Sequence, residues 1–288
     1  MIKKIEYLGF SNCLEIASGD ASVIISTDFG PRILSYALDD GENILGWHPE
    51  AAVKTKLGTW KPYGGHRLWL APENMPLSYS PDNEPVEHFV DGALSVRLVP
   101  LEDANAKIQK EIAVSLDDEG SDVTIDHKIT NRGDSTIEAS AWALTIMRPG
   151  GTVVVPNEPL APYGRETLLP VRTLALWPYT DFTDPRWSFG KDEIGLRVDE
   201  NLQDPQKFGV LNRQGWVAYE WNDLRFVKYF DFVDGVPFPD MNSNTEIYTA
   251  GGFVEVETLS PLTVLQPGES VKHQERWELE SNVEVRKQ

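Results

Sequence analysis

Cysteine is almost absent from this chain, since Cys13 is the only one among 288 residues. A single thiol excludes an internal disulfide and any metal site built from a cluster of cysteines. We expect Cys13 to be a small residue of the core. The sequence also lacks a phosphate-binding glycine loop, a Gly-x-Ser-x-Gly elbow and a His-Glu-x-x-His pair. No motif therefore predicts a cofactor or a metal ion.

Positive charge is scarce as well. The chain has 26 lysines and arginines against 45 aspartates and glutamates, which gives a formal net charge of −19. Such a balance argues against a nucleic-acid backbone or an anionic membrane surface as the partner, because both are themselves negatively charged. The same charge favours solubility.

Long apolar runs are missing. Nowhere do about eighteen apolar residues follow one another, so the sequence contains no candidate for a membrane-spanning helix. The first residues contain two lysines, but charged and polar residues follow too soon for the apolar core of a secretory signal. We therefore expect a cytoplasmic protein. The sequence does not indicate its oligomeric state.

Helical periodicity is nearly absent, and the chain consists of short runs of β-branched and aromatic residues separated by turn residues. About fifteen or more such strands predict an all-β fold, a large sandwich of antiparallel sheets. No change in composition marks a linker, so we expect one domain over residues 1–288. A short helical turn is expected at residues 51–54, and an acidic, solvated loop at residues 231–246.

The densest group of candidate site residues lies at residues 61–74, KPYGGHRLWLAPEN. The Gly-Gly pair predicts a bend that allows close approach of another chain segment. After it, His66 and Leu68 should face one side of a strand while Arg67 and Trp69 face the other. His66 is a candidate for binding or catalysis, or alternatively a residue that orders the bend.

Polar residues after this strand extend the candidate site. Glu73 and Asn74 follow a proline and are candidates for contact with a ligand. Arg67 is a candidate for binding sugar hydroxyls or an acidic sugar, and the alternative is a structural pair with a carboxylate such as that of Glu73.

Three further charged residues stand on apolar strand faces, where charge is uncommon. Glu255 and Glu257 share one face between Phe253 and Leu259, and Lys228 shares a face with two phenylalanines. Paired carboxylates on such a face raise each other's pKa, which suits an acid–base role or a bound cation. Lys228 either meets a ligand or extends its ammonium group to solvent.

Tryptophan is abundant, with nine residues in the chain. Sugars bind proteins by placing C–H faces on aromatic rings while their hydroxyls meet polar side chains. Trp60 and Trp69 are the candidate stacking platforms. The alternative for any one tryptophan is a place in the core between the sheets.

Residues 252–258 and 261–270, GFVEVET and PLTVLQPGES, resemble the end of aldose 1-epimerases, the galactose mutarotases. In those enzymes a strand ending in Leu-Glu-Thr carries the catalytic base, and Glu257 matches that glutamate. Residues 129–137 resemble the turn that precedes the family's catalytic histidine. The resemblance implies a galactose-mutarotase-like β-supersandwich that binds a small carbohydrate in a cleft on one sheet.

The family's histidine is missing, since residues 140–145 read Ser-Ala-Trp-Ala-Leu-Thr. Mutarotation requires a base at the anomeric hydroxyl and an acid at the ring oxygen. One hypothesis is an aldose 1-epimerase with Glu257 as the base and His66 as a substitute acid. The alternatives are a sugar-binding protein without catalysis and an assembly protein that uses exposed sheet surface.

Overall fold

The computed structural model describes residues 1–39 and 41–281. Within that part of the chain the structure is almost entirely β, and every strand pairing between the elements below is antiparallel. The helical elements are a 3₁₀ helix at Leu77–Tyr79 and a short turn at Pro239–Asn242. Among the described residues, no helix has the length and apolar character needed to cross a membrane.

The strands follow one another at short intervals along the chain. The first fourteen are β1 (Ile2–Tyr7), β2 (Phe10–Ala17), β3 (Ala21–Ser26), β4 (Arg32–Leu38), β5 (Trp47–His48), β6 (Val53–Thr55), β7 (Gly58–Trp60), β8 (Tyr63–Gly64), β9 (His66–Ala71), β10 (Glu87–Gly92), β11 (Ser95–Val99), β12 (Ile108–Leu116), β13 (Val123–Asn131) and β14 (Ile137–Met147). The remaining strands are β15 (Thr152–Pro156), β16 (Leu174–Leu176), β17 (Trp187–Phe189), β18 (Glu193–Arg197), β19 (Gln206–Val210), β20 (Trp216–Trp221), β21 (Leu224–Phe230), β22 (Thr245–Ala250), β23 (Phe253–Leu259), β24 (Thr263–Leu265) and β25 (Ser270–Ser281).

Most of these strands form two large sheets. The first has eleven strands in the order β1-β2-β3-β4-β9-β14-β23-β22-β19-β16, with β24 paired beside β14. The second has ten strands in the order β10-β11-β12-β13-β25-β21-β20-β15-β18-β17. Two short hairpin-like pairs, β5 with β8 and β6 with β7, lie outside both. The predicted sandwich of large antiparallel sheets is confirmed.

The core lies between the two sheets. Leu68 and Ile247 from the first sheet and Ile125 and Phe226 from the second belong to one cluster of buried apolar side chains. The alternation of each strand sends one set of side chains into this cluster and the other set to the outer face. Cys13 is fully buried, as expected.

Two local predictions from the sequence are wrong. Residues 51–54 form no helical turn, because the chain enters strand β6 at Val53 and pairs with β7. The predicted acidic loop at residues 231–246 does not extend to its end, since Thr245 and Glu246 open strand β22 and are fully buried. Cross-strand pairing with β19 and β23 outweighs the polar composition there.

Candidate functional site

The Gly-Gly bend brings strand β9 into the first sheet. Gly64 and Gly65 have φ angles of 135° and 64°. A Cβ atom would lie 2.2 Å from the carbonyl oxygen of Gly46 at the first position and 1.9 Å from that of Ile33 at the second. Only glycine permits this approach, so the pair allows β9 to lie between β4 and β14. The predicted bend is confirmed.

Strand β9 alternates as the sequence predicts. His66 and Leu68 face the core between the sheets, where His66 contacts His127 of the second sheet. Arg67 and Trp69 face the opposite side and line a cleft. The candidate site is therefore on the outer face of the first sheet.

Pairing with neighbouring strands extends this outer face into a floor of polar and apolar side chains. Residues directly opposite one another in an antiparallel sheet project to the same face. One row across the floor consists of Arg67, Leu144, Glu257 and Glu246, and the next of Ile146, Glu255, Tyr248 and Lys207.

The walls above this floor are aromatic. The cleft has a volume of about 560 Å³, within the range of small-molecule sites. The aromatic rings that line it are those of Trp60, Trp69, Trp142, Tyr79, Tyr179, Tyr248 and Phe253. The three tryptophans are at most 3% exposed and pack against one another, so Trp60 and Trp69 are not the open stacking platforms predicted from the sequence. Burial raises the pKa of Tyr179 to about 12, so its hydroxyl stays protonated and is able to donate a hydrogen bond at neutral pH.

Arg67 is clamped between two tryptophans. Its guanidinium carbon lies 4.5 Å from the centre of the Trp69 ring and 5.2 Å from that of Trp60. Its Nη1 lies 2.8 Å from Oε1 of Glu255. The carboxylate partner of Arg67 is thus Glu255, whereas Glu73 instead accepts a hydrogen bond from the Tyr79 hydroxyl at 2.5 Å.

Lys207 joins the two carboxylates of the neighbouring row. Its Nζ lies 2.8 Å from Oε2 of Glu246 and 3.3 Å from Oε2 of Glu257. Trp142 donates a hydrogen bond from Nε1 to the same Glu257 oxygen at 2.9 Å. Glu257 is fully buried and does not line the cleft itself. The two side chains that contact its carboxylate, Trp142 and Lys207, do line the cleft.

Burial dominates the acid–base properties of this group. It raises the pKa of Glu257 to about 7 against the opposing effect of the Lys207 charge, and it raises the pKa of Glu246 well above its usual range. Burial alone would lower the pKa of Lys207, but Glu257 and Glu246 outweigh it and the net shift is upward. Lys207 is therefore charged at neutral pH, Glu257 is close to its midpoint, and the upward shift in the pKa of Glu246 favours its neutral form.

Several buried polar atoms around the cleft have no hydrogen-bond partner among the described residues. They are Nε2 of His48, Nε1 of Trp60 and of Trp69, Nε of Arg67 and Oε1 of Glu257. Burial lowers the pKa of His48, so that ring is neutral at pH 7. Buried polar groups in folded proteins are nearly always paired, so these atoms require hydrogen-bond partners such as water or a ligand.

Most of the predicted site residues meet at this cleft. Trp60, Arg67, Trp69, Glu73 and Glu255 line it, and Glu257 lies directly beneath its floor. Three others lie elsewhere: the side chain of Asn74 is exposed outside the lining, and His66 and Lys228 are fully buried in the core. The structure therefore does not bring the predicted pair, His66 and Glu257, to one ligand, because their side chains are on opposite faces of the sheet.

His66 instead belongs to a hydrogen-bonded chain between the sheets. Nδ1 of His127 donates to the carbonyl oxygen of His273 at 3.0 Å, which leaves Nε2 of His127 as an acceptor for Nε2 of His66 at 2.7 Å. Nδ1 of His66 then accepts from the Thr145 hydroxyl at 2.8 Å. Burial lowers the pKa of both His66 and His127, which keeps these rings neutral.

Lys228 supplies the charge in this interior network. It donates to Oγ1 of Thr145 at 2.7 Å and to the carbonyl oxygen of Val256 at 3.0 Å, and its Nζ lies 3.0 Å from Oε1 of Glu275. Burial would raise the pKa of Glu275, but Lys228 and the neighbouring histidine side chains together outweigh it and the net shift is downward. Lys228 therefore meets neither solvent nor a cleft ligand, and its partner is a buried carboxylate.

The side chains of His66, His127 and Glu275 are close enough to suggest a metal site. Two imidazoles on one tetrahedral zinc ion hold their nitrogens roughly 3.3 Å apart. The Nε2 atoms of the two histidines are 2.7 Å apart, which is a hydrogen-bond distance. The ammonium group of Lys228 already neutralises Glu275, so the geometry fits a hydrogen-bonded core better than a metal centre.

Sequence reasoning missed several residues of the cleft. Lys207, Tyr179, Tyr248 and His48 line it but lie in segments with no motif. Glu246 ends the acidic, asparagine-rich stretch at residues 231–246, a composition that favours a solvated loop, although a strand is also expected at residues 245–249 and is confirmed. One local feature of the sequence could have indicated the cleft: Lys207 is a charged residue next to the apolar run that begins at Phe208.

Comparison with known proteins supports the fold and leaves the chemistry open. No protein-family model and no curated protein sequence matches this chain. Among solved structures, a galactose mutarotase-like protein from Lactobacillus casei superimposes with a TM-score of 0.59 at 12% identity, over 93% of this chain and 100% of the other. A galactose mutarotase related enzyme from Lactobacillus acidophilus gives a TM-score of 0.56 at 9% identity, over 96% of this chain and 100% of the other.

Identities this low establish the architecture alone. The two large antiparallel sheets and the coverage of nearly the whole chain agree with the resemblance seen at residues 252–270. The chain therefore has the galactose-mutarotase-like fold.

Proposed function

We propose that this protein binds a small neutral carbohydrate in the cleft on the outer face of the first sheet. The observation that carries the proposal is the combination of aromatic walls with unpaired buried polar atoms around a charged floor. Aromatic rings pack against the C–H faces of a sugar, and its hydroxyls supply both donors and acceptors to such polar atoms. The likeness in fold to mutarotase-like proteins supports the same ligand class.

The charges of the cleft favour a neutral sugar over an acidic or phosphorylated one. The cations that line it, within the described residues, are Arg67 and Lys207. Arg67 is paired with Glu255, and Lys207 with Glu246 and Glu257. The carboxylates of Glu73 and Glu255 line the cleft beside these two cations, so an anionic ligand would meet as many negative groups as positive ones, whereas neutral hydroxyls can hydrogen-bond to both.

A thermal-shift screen tests this proposal. We expect neutral aldoses to raise the melting temperature in a concentration-dependent manner, because a ligand that binds only the native state stabilises it. Their uronates and phosphates serve as the comparison and should give smaller shifts. If no neutral sugar shifts the melting temperature, the proposal is wrong, and a response to phosphates alone would contradict the charge argument.

Lys207 should contribute strongly to the affinity. Replacing it with methionine removes the cationic donor at the cleft floor, and hydrogen bonds from charged groups are worth about 1.5 to 3 kcal/mol. We expect Lys207→Met to weaken binding of the best sugar about 10- to 100-fold, as measured by fluorescence titration. Lys191→Met is the matched control because that side chain is 74% exposed and outside the cleft. Equal affinities for the two variants would show that Lys207 does not contact the sugar.

A second candidate, aldose 1-epimerase activity, is favoured by the acid–base state of Glu257. A carboxyl group with a pKa of about 7 is suited to exchange protons with a sugar at neutral pH. In this proposal Glu257 takes the proton of the anomeric hydroxyl while Lys207, 3.3 Å away, protonates the ring oxygen, and the ring opens to the free aldehyde. His66 takes no part, since it faces the core.

The sugar-binding proposal and the epimerase candidate differ in one requirement. Catalysis needs Glu257 to touch the ligand, and in this structure Trp142 and Lys207 lie over it. A binding protein without catalysis needs only the cleft as it stands, with Glu257 holding both of those side chains in place. For either function we retain the cytoplasm as the expected location.

A further inference from the structure

The segment at residues 159–190 exposes an unusual amount of apolar surface. Its exposed large side chains include Leu160, Tyr163, Leu168, Leu169, Val171 and Phe189, with exposed fractions from 53% to 92%. Soluble monomers rarely present this many together, and such patches commonly mark contacts with another protein. We name this set the edge surface.

The segment that carries the edge surface is held in a defined conformation. Arg172 donates from Nη1 to Oδ1 of Asn157 at 2.8 Å, and its Nε lies 2.8 Å from Oε2 of Glu158. Asn157 in turn donates to the carbonyl oxygen of Gly190 at 3.0 Å. The beginning, middle and end of the segment are therefore tied together, and the apolar side chains point outward from an ordered base.

One edge strand of each large sheet lies in this segment. Strand β16 is the last strand of the first sheet and β17 is the last strand of the second. On β16, Leu174 and Leu176 are 38% and 47% exposed. Terminal strands present backbone groups that pair readily with another strand, and proteins usually protect them with charge or a covering element. Here the exposed large side chains on the two terminal strands, Leu174, Leu176 and Phe189, are apolar instead.

The charge of the segment identifies the partner. Residues 159–190 contain three arginines and three acidic residues, so their net charge is zero, whereas the whole chain carries −19. A basic partner would be drawn instead to the acidic remainder of the surface, where the net charge of −19 lies. Two copies of this chain can meet at the edge surface, because the segment that carries it has no net charge.

We infer that the edge surface is the interface of a two-fold symmetric dimer of this chain. An apolar patch in a segment with no net charge can pack against a second copy of itself, as a two-fold interface requires. The exposed side chains of the edge surface and of β16 offer on the order of 1,000 Å² in total, and standard interfaces bury about 800 Å² on each partner. The dimer is independent of whether the cleft binds sugar.

Light scattering coupled to size-exclusion chromatography tests the dimer at increasing protein concentration. The wild type should reach twice the chain mass of 32.3 kDa. The double variant Leu168→Asp, Leu169→Asp should stay at the monomer mass, because each partner would bury uncompensated carboxylates. Leu101→Asp is the matched control, since Leu101 is 78% exposed outside the segment and should leave the dimer intact.

A cooperative unfolding transition in urea shows that each variant is folded. We expect the substitutions to leave the fold intact, because the substituted side chains are exposed in the single chain. A wild type that remains a monomer at every concentration would overturn the inference. A double variant that dimerises as well as the wild type would also overturn it, because the contact would then lie elsewhere.

Discussion

Replacing Lys228 with methionine is expected to lower the free energy of unfolding by about 3 to 5 kcal/mol. Lys228 and Glu275 are both fully buried, and their charged atoms are 3.0 Å apart. Methionine fills a similar volume but leaves the carboxylate of Glu275 without its counter-charge in the core, with only the hydrogen bonds from Thr258 and Trp277 remaining. It also removes the hydrogen bonds to Thr145 and to the carbonyl oxygen of Val256. Urea unfolding followed by tryptophan fluorescence measures the loss.

Two further variants isolate the buried pair. Lys272→Met changes an exposed lysine on strand β25 and should alter stability by less than about 0.5 kcal/mol. Glu275→Gln combined with Lys228→Met removes both charges and should recover part of the loss, since the cost arises from leaving one charge alone. A loss below about 1 kcal/mol for the single Lys228 variant would contradict the assignment of these groups as a charged pair.

Glu257→Gln is expected to lower any catalysed anomer exchange about 10²- to 10⁴-fold, the usual contribution of a general base. Glutamine can still accept the hydrogen bond from Trp142 but cannot take a proton from the sugar. In the wild type the rate should rise as the pH increases through about 7, because only the deprotonated form of Glu257 acts as the base. Exchange spectroscopy by NMR measures both effects.

The matched control is Glu138→Gln, which changes an exposed glutamate on strand β14 and should leave the exchange rate unchanged. If the wild type exchanges no aldose faster than the uncatalysed reaction, the epimerase candidate fails and a binding protein remains. A Glu257 variant as fast as the wild type would show that another residue is the base.

The sequence was sufficient to predict the fold class and the alternation of side chains along one strand of the site. Short β-branched runs and the turn residues between them fix the all-β class, because period-2 alternation has few other structural solutions. The Gly-Gly pair correctly predicted a close backbone approach, and the alternation after it correctly separated His66 from Arg67.

Alternation could not say which face of β9 forms the cleft. That depends on where the second sheet packs, and the contact of His66 with His127 joins residues 61 positions apart. Lys207 and Glu246 escaped detection for a related reason, since their roles follow from the register of β19, β22 and β23. Long-range pairing of this kind leaves little local trace in a single sequence.

The most direct test of the central claim is a crystal structure of the protein grown with saturating concentrations of the neutral aldose that gives the largest thermal shift. We predict a sugar ring packed against Tyr179, Tyr248 or Phe253, whose rings are open to the cleft, with hydroxyls within hydrogen-bond distance of Lys207 and Glu255. A cleft without sugar under those conditions, or a sugar bound at a different surface, would contradict the account.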